Sequence, residues 1–219
     1  MKILSLCGGI ECGAVAIKRL GIKPEQYFSS EIDKDAIAVA TDNHPDIIHI
    51  GDIFKVRYAD GIIYSEQGNF YAGQLDLVFG GTPCKGFSCA GSRIDFDHEE
   101  SKLFFEFHRI LKEVKPTYFL FENVKMRREP MDIISAYLEV NPVEINSALV
   151  SAQNRKRIYW LGYMRERFFE ENYCIECEHK RKEYEQKREQ GLLGKAQREG
   201  AESILGEAQK RRVGLQNLR

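Results

Sequence analysis

A cysteine and a glutamate stand at corresponding places after two consecutive apolar segments of this chain. Cys84 lies in Gly80-Gly81-Thr82-Pro83-Cys84-Lys85-Gly86-Phe87-Ser88, a loop opened by two glycines and a proline just past the apolar run Leu75-Asp76-Leu77-Val78-Phe79. Glu122 closes the next such run, Tyr118-Phe119-Leu120-Phe121, and leads into Asn123-Val124. In an open parallel sheet, ligands sit at the carboxyl ends of strands, so both side chains are aimed at one crevice. A thiol and a carboxyl converging on one pocket suit nucleophilic attack with acid assistance. A free thiol has a pKa of about 8.5, so Cys84 needs a depressed value or a nearby proton acceptor. Taken alone, Cys84 reads better as a buried structural thiol. The combination with Pro83, Glu122 and the arginines at 155 and 157 favours the nucleophile.

A second constellation opens the chain. Lys2 to Cys7 reads as a buried strand, and Gly8, Gly9 and Gly13 follow it before an apolar-periodic helix over Cys12 to Leu20. Such a turn lets backbone approach a ligand closely, with a helix N-terminus behind it. The spacing lacks the G-x-G-x-x-G dinucleotide pattern, which argues against NAD. Glu31, at the end of the second strand, is placed to accept hydrogen bonds from ribose hydroxyls.

The elements that position these residues alternate between strand-like and helix-like runs. Strands are expected at 2–7, 27–30, 47–50, 75–79, 118–121, 143–148 and 157–163, and helices at 12–20, 34–42, 101–114 and 131–140, with 51–74 unassigned. Such alternation implies an α/β doubly wound, mostly parallel sheet with helices on both faces. The connection between the last two strands is too short for a crossover helix, so that pair is expected to be antiparallel. Beyond Tyr163 the composition changes: residues 164–219 are crowded with Lys, Arg, Glu and Gln and interrupted by glycines. They read as a charged, helix-prone or partly disordered tail after a 1–163 domain.

At 219 residues the chain is long enough for one full α/β core, and its formal net charge of −1 leaves no global footprint of a nucleic-acid binder. If a nucleic acid is the partner, positive charge must be local, with Lys125, Arg127, Arg128, Arg155, Lys156 and Arg157 as candidates. Six cysteines without a secreted-type framework, no signal peptide and no membrane-length apolar stretch point to reduced thiols in a cytoplasmic setting. Cys174, Cys177 and His179 have metal-like spacing, but no second pair completes a zinc site, so no metal is expected. His44, His49, His98 and His108 are isolated and read as structural or surface residues.

Six motifs, in order over residues 1 to 163, together resemble the C5-cytosine-specific DNA methyltransferase family. Leu4-Ser5-Leu6-Cys7-Gly8-Gly9-Ile10-Glu11-Cys12-Gly13 is similar to the family's first motif, followed by Glu31 and Gly51-Asp52-Ile53. Pro83-Cys84, Glu122-Asn123-Val124 and Gln153-Asn154-Arg155-Lys156-Arg157 resemble its nucleophile, acid and Q-x-R-x-R motifs. The wording of Leu4-Ser5-Leu6 and Leu103-Phe104-Phe105-Glu106-Phe107 is closest to the branch containing the vertebrate de novo methyltransferases. The resemblance implies the seven-stranded, Rossmann-like fold of S-adenosylmethionine-dependent methyltransferases. It implies DNA methylation at cytosine C5, of the kind found in restriction-modification systems, with S-adenosyl-L-methionine as cofactor.

It also implies roles. Cys7, Gly8, Gly9, Ile10, Gly13 and Glu31 would hold the cofactor, and Asp52 and Ile53 would contact its adenine. Asp52 can equally be a cap for the segment after it. Cys84 would attack cytosine C6, Glu122 would hold or protonate N3, and Arg157 with Arg155 would orient the base through O2. The base would have to be flipped out of the duplex, and the loop 85–100 is long enough to close over it. Asn123 would fix the nucleophile loop by hydrogen bonds. Two departures stand out: the family usually has Phe where Cys7 stands, and its recognition region and final motifs are not found in 164–219. That leaves, beside a single-chain DNA enzyme, a split enzyme completed by a second chain or a homo-oligomer, a non-catalytic regulatory module, and an RNA cytosine-5 methyltransferase.

Overall fold

The computed structural model describes residues 1–82 and 99–164, with backbone alone at 99–101, together with Gln186. Cys84, Cys89, His98, the loop 85–98, Cys174, Cys177, His179 and almost all of the 164–219 tail therefore lie outside the described residues. Every element below belongs to one unit, Met1–Cys174.

The first half is wound as the apolar runs require. Strand β1 (Lys2–Leu6) leads into α1 (Cys12–Arg19), β2 (Gln26–Ser30) and α2 (Lys34–Asn43), whose first turn is capped by Asp33 Oδ1 accepting from the Asp35 and Ala36 amides at 2.9 and 3.2 Å. The short β3 (Ile48–His49) and a 3₁₀ turn (Ile53–Lys55) follow. The segment left unassigned by the sequence is an antiparallel meander, β4 (Arg57–Ala59), β5 (Ile62–Ser65) and β6 (Gly68–Tyr71). Its first turn is Asp60-Gly61, with φ of 52° and 78°, the left-handed pair that matches the twist of a two-residue hairpin. The meander packs on the main sheet through Phe70 and Phe28, ring centroids 6.1 Å apart.

The second half supplies β7 (Leu77–Gly80), α3 (Glu99–Val114), β8 (Tyr118–Val124), α4 (Arg128–Leu138), β9 (Val143–Asn146) and β10 (Lys156–Tyr163). Helix α4 begins three residues earlier than the sequence suggested, because Pro130 falls in its first turn, where the missing amide is not needed. The seven-stranded sheet has the order β3-β2-β1-β7-β8-β10-β9. Its strands are parallel except β10, which runs antiparallel to both β8 and β9, as the short β9–β10 connection demands.

The core lies on both faces of this sheet. On one, Ile3 and Tyr27 pack against Ala14 and Ile17 of α1. On the other, Phe121 meets Phe104, Phe107 and Trp160 at centroid distances of 5.3, 4.8 and 5.7 Å. Trp160 is fully buried, and its indole N–H donates to Ser135 Oγ at 2.9 Å, so this large ring carries no unsatisfied donor.

Candidate active site

Strands β1, β2 and β7 end on the same edge of the sheet, and three parts of the site are built there. The first is the turn after β1. Its backbone alternates: Cys7, Gly9 and Glu11 have φ of 54°, 57° and 59°. Left-handed backbone costs a non-glycine residue about 1–2 kcal/mol, so the surrounding structure must hold these two residues in the turn. Glu31, just past β2, ties the turn down. Its Oε2 accepts from the Gly9 amide at 2.8 Å, while Oε1 accepts from the amides of Ile32 and Asp33 at 2.8 and 3.0 Å. Ile10 and Ile32 stand 51% and 70% exposed beside these groups, an apolar rim on an otherwise polar turn.

Cys7 lies near the carboxylates of Glu31 and Asp52. Burial, then the negative charges of Glu31 and Asp52, push its thiol from 9.0 up to about 12. It is thus a neutral packing group and not a nucleophile. The unfolded chain gives up this proton from about pH 9 upward while the folded chain retains it. The contribution of Cys7 to stability is therefore complete below pH 9.0 and is lost as the pH rises toward 12. Because the thiolate is the species that alkylates, iodoacetamide at pH 9 is expected to leave Cys7 unmodified while labelling Cys12, which is exposed. Peptide mass mapping checks this, and labelling of Cys7 in folded protein would contradict it.

Asp52 caps the 3₁₀ turn, its Oδ1 accepting from the Phe54 amide at 3.0 Å, so the capping role is realised. Ile53, the first residue of that turn, is 4% exposed. Arg109 of α3 grips the same segment through the Val56 carbonyl at 2.8 Å, while pairing with Glu106 and Glu113 of its own helix.

The second part is the approach to Cys84. Strand β7 ends at Gly80-Gly81, and a Cβ on Gly81 would lie 2.7 Å from the Glu122 carboxylate, so a side chain at this position would displace the acid from the loop. Asn123, 2% exposed, donates from Nδ2 to the Thr82 carbonyl at 3.3 Å and accepts the Val124 amide at 2.7 Å. It thus fastens the residue two before Cys84 to β8, as the sequence suggested.

The third part is the acid with its arginine. Strand β8 continues to Val124, past the end of β7, because β10 pairs with it there: Arg157 opposes Val124 and Tyr159 opposes Glu122. Glu122 therefore sits within a strand that overhangs the sheet edge and not at its tip. Arg157 Nε lies 2.9 Å from Glu122 Oε1, with both side chains partly shielded. Tyr159 flanks the pair; burial first, and then the Glu122 charge, raises its phenol pKa, while Arg155 and Arg157 oppose the rise. Arg155 is exposed, and its backbone is held by Asn146 and Ser147. Of the other basic candidates, Lys125 pairs with Glu144 at 2.9 Å and Arg128 faces Asp132 at 3.6 Å, whereas Arg127 and Lys156 are exposed.

The structure thus gathers Cys7, Gly8, Gly9, Glu31 and Asp52 into one cluster and joins Glu122 to Arg157 in another. The main group that sequence reading passed over is Glu11, a fully buried carboxylate inside the glycine turn. Among the described residues no group of three or more His, Cys, Asp or Glu side chains could hold a metal, and no helix is long and apolar enough to cross a membrane.

A doubly wound sheet with one antiparallel strand, a tight glycine turn after β1 and an acid after β2 define the Rossmann-like methyltransferase class. The chain belongs to the C-5 cytosine-specific DNA methylase family, whose model matches residues 1–214. It is 30% identical over 189 residues to the orphan methyltransferase M.Rho11sI of Bacillus phage rho11s, covering 80% of this chain and 35% of that protein. To the type II methyltransferase M1.ScrFI of Lactococcus lactis subsp. cremoris it is 38% identical over 154 residues, 65% of this chain and 36% of that one. The chain thus spans about a third of the length of these curated relatives. Among solved structures, a prophage-encoded E. coli protein assigned as a DNA modification methyltransferase superposes with a TM-score of 0.57 at 22% identity, covering 75% of this chain and 47% of that one. That likeness concerns the fold.

Proposed function

We propose that this chain carries the catalytic domain, residues 1–163, of a DNA cytosine-C5 methyltransferase that uses S-adenosylmethionine and a covalent adduct to Cys84. The observation that carries the reading is the Glu122–Arg157 pair held 2.9 Å apart on a strand overhang, pressed against the glycine that leads to Pro83-Cys84. A pocket for a small planar base needs an acid at one edge, a cation at another and a nucleophile at its face, and these residues supply that set.

The cofactor fits the first cluster. Gly9 has open space where its Cβ would be, and its amide is already oriented by Glu31. Gly8, Gly9, Ile10 and Gly13 would hold the amino-acid end, Glu31 the ribose, and Asp52 and Ile53, with exposed Ile32, the adenine. When bound, S-adenosylmethionine supplies an electrophilic methyl group. Glu122 would hold or protonate cytosine N3, which makes C6 electrophilic. Arg157, with Arg155 beside it, would hydrogen-bond O2 and fix the ring plane. Cys84 would then add to C6, turning C5 into the nucleophile of an enamine, and would leave again once the C5 proton is removed. The neutral Cys7 contributes no competing thiolate.

The test is transfer of labelled methyl from S-adenosylmethionine to pools of mixed-sequence DNA and RNA, followed by digestion to nucleosides. Label in 5-methyldeoxycytidine supports the reading. Label in RNA alone would reassign the substrate. No transfer by protein that binds the cofactor would favour a regulatory module or an enzyme completed by a second chain.

A further inference from the structure

Glu11 is the one acidic side chain among the described residues that is completely buried. Its Oε1 accepts from Ser29 Oγ at 2.5 Å and its Oε2 from Tyr27 Oη at 2.6 Å. Both donors are neutral hydroxyls. No cation among the described residues pairs with it. The positive end of α1 offsets part of the charge, yet Glu11 makes no side-chain cap hydrogen bond to that helix. Acidic side chains are almost never fully buried unless paired, and perturbed groups of this kind cluster where a ligand uses them.

Its place says which ligand. A Cβ on Gly8 would lie 1.9 Å from Glu11 Oε1 and 2.6 Å from the buried Ser5 Oγ. The carboxylate therefore lies directly behind the backbone of the glycine turn that the proposed function gives to the cofactor, with no side chain between. Glu31 and Asp52 add charge of the same sign near Cys7. A cation seated on this turn would be its counterion. Methyl transfer removes that cation: the S–CH₃ bond breaks, its electron pair stays on sulfur, and a sulfonium becomes a neutral thioether.

We infer that Glu11 is a specificity-determining residue that makes the cofactor turn prefer the sulfonium S-adenosylmethionine over the thioether product S-adenosylhomocysteine. The inference rests on the cofactor reading above. It is tested by calorimetric titration of both ligands into the full chain, wild type and Glu11→Gln, with circular dichroism melts of each. The wild-type preference is the ratio of the S-adenosylhomocysteine Kd to the S-adenosylmethionine Kd, and Glu11→Gln is expected to lower it about tenfold. Glu11→Asp, which keeps the charge, should hold it within about twofold. Equal weakening of both ligands in Glu11→Gln would make the residue a prop for the turn and overturn the inference, as would an unchanged ratio. If Glu11→Gln does not fold, Tyr27→Phe removes a neutral donor and leaves the charge; its ratio should equal or exceed the wild type's, and a fall would overturn the inference. Wild-type protein binding neither ligand would instead overturn the cofactor reading itself.

Discussion

Glu122→Gln is expected to lower kcat for cytosine methylation by about 10²- to 10⁴-fold while leaving the protein folded. The amide has the shape of the carboxyl, so it fits against Gly81, where the Glu122 Oε2 now lies. What it loses is the acid that holds N3 and the anion that orients Arg157 across 2.9 Å. Both partners keep some solvent contact, with side-chain exposures of 31% and 19%. An ion pair of that kind contributes about 1 kcal/mol or less to stability. Activity and stability should therefore separate: steady-state kinetics should collapse while the melting temperature moves by only a few degrees. A kcat within threefold of the wild type would remove Glu122 from the chemistry. A double-mutant cycle with Arg157→Lys should show strong non-additivity in kcat, since the arginine acts on the base in the geometry that the glutamate sets.

The second large effect concerns the cofactor. Glu31→Ala is expected to weaken S-adenosylmethionine binding by about ten- to a hundredfold, the equivalent of about 1.5–3 kcal/mol of charge-assisted hydrogen bonding. The carboxylate serves the ligand in two ways. It presents acceptor capacity to the ribose hydroxyls, and it fixes the Gly9 amide at 2.8 Å, thereby shaping the turn after β1. Its other oxygen satisfies the Ile32 and Asp33 amides at the entrance to α2. Removal leaves three donors to find water. Calorimetric titration measures the loss directly, and unchanged affinity would contradict the ribose assignment.

These side chains were legible in the sequence because their strands were. The apolar runs ending at Cys7, Phe79 and Phe121 are long enough to be strands and too short to be helices, and each is followed by glycine or by a lone acid. That pattern pointed to a mostly parallel sheet, and the short link before β10 to the antiparallel strand. The meander was hidden because Arg57 to Tyr71 mixes polar and aromatic residues without a clean period. The Asp60-Gly61 pair was its one local signal, and its φ values of 52° and 78° show that the pair builds the hairpin turn. Glu122 shifted from strand tip to strand interior because the extension of β8 depends on pairing with β10, a contact between segments more than thirty residues apart in the chain. Glu11 was hidden for a different reason. A glutamate just before a helix reads as solvated, and only the folded arrangement shows Tyr27 and Ser29 turned toward it.

The assignment of the reaction depends most on Cys84 acting as a nucleophile. The direct measurement is incubation of wild-type and Cys84→Ser protein with S-adenosylmethionine and mixed-sequence DNA containing 5-fluorocytosine, followed by denaturing electrophoresis. Fluorine at C5 cannot leave as a proton does, so the enzyme should stay bonded to the base through Cys84. A denaturant-resistant complex formed by the wild type, and absent in Cys84→Ser protein that still binds S-adenosylmethionine, is the predicted result. A complex of equal yield with both proteins, or none from wild-type protein that transfers methyl groups to unmodified DNA, would contradict the covalent mechanism.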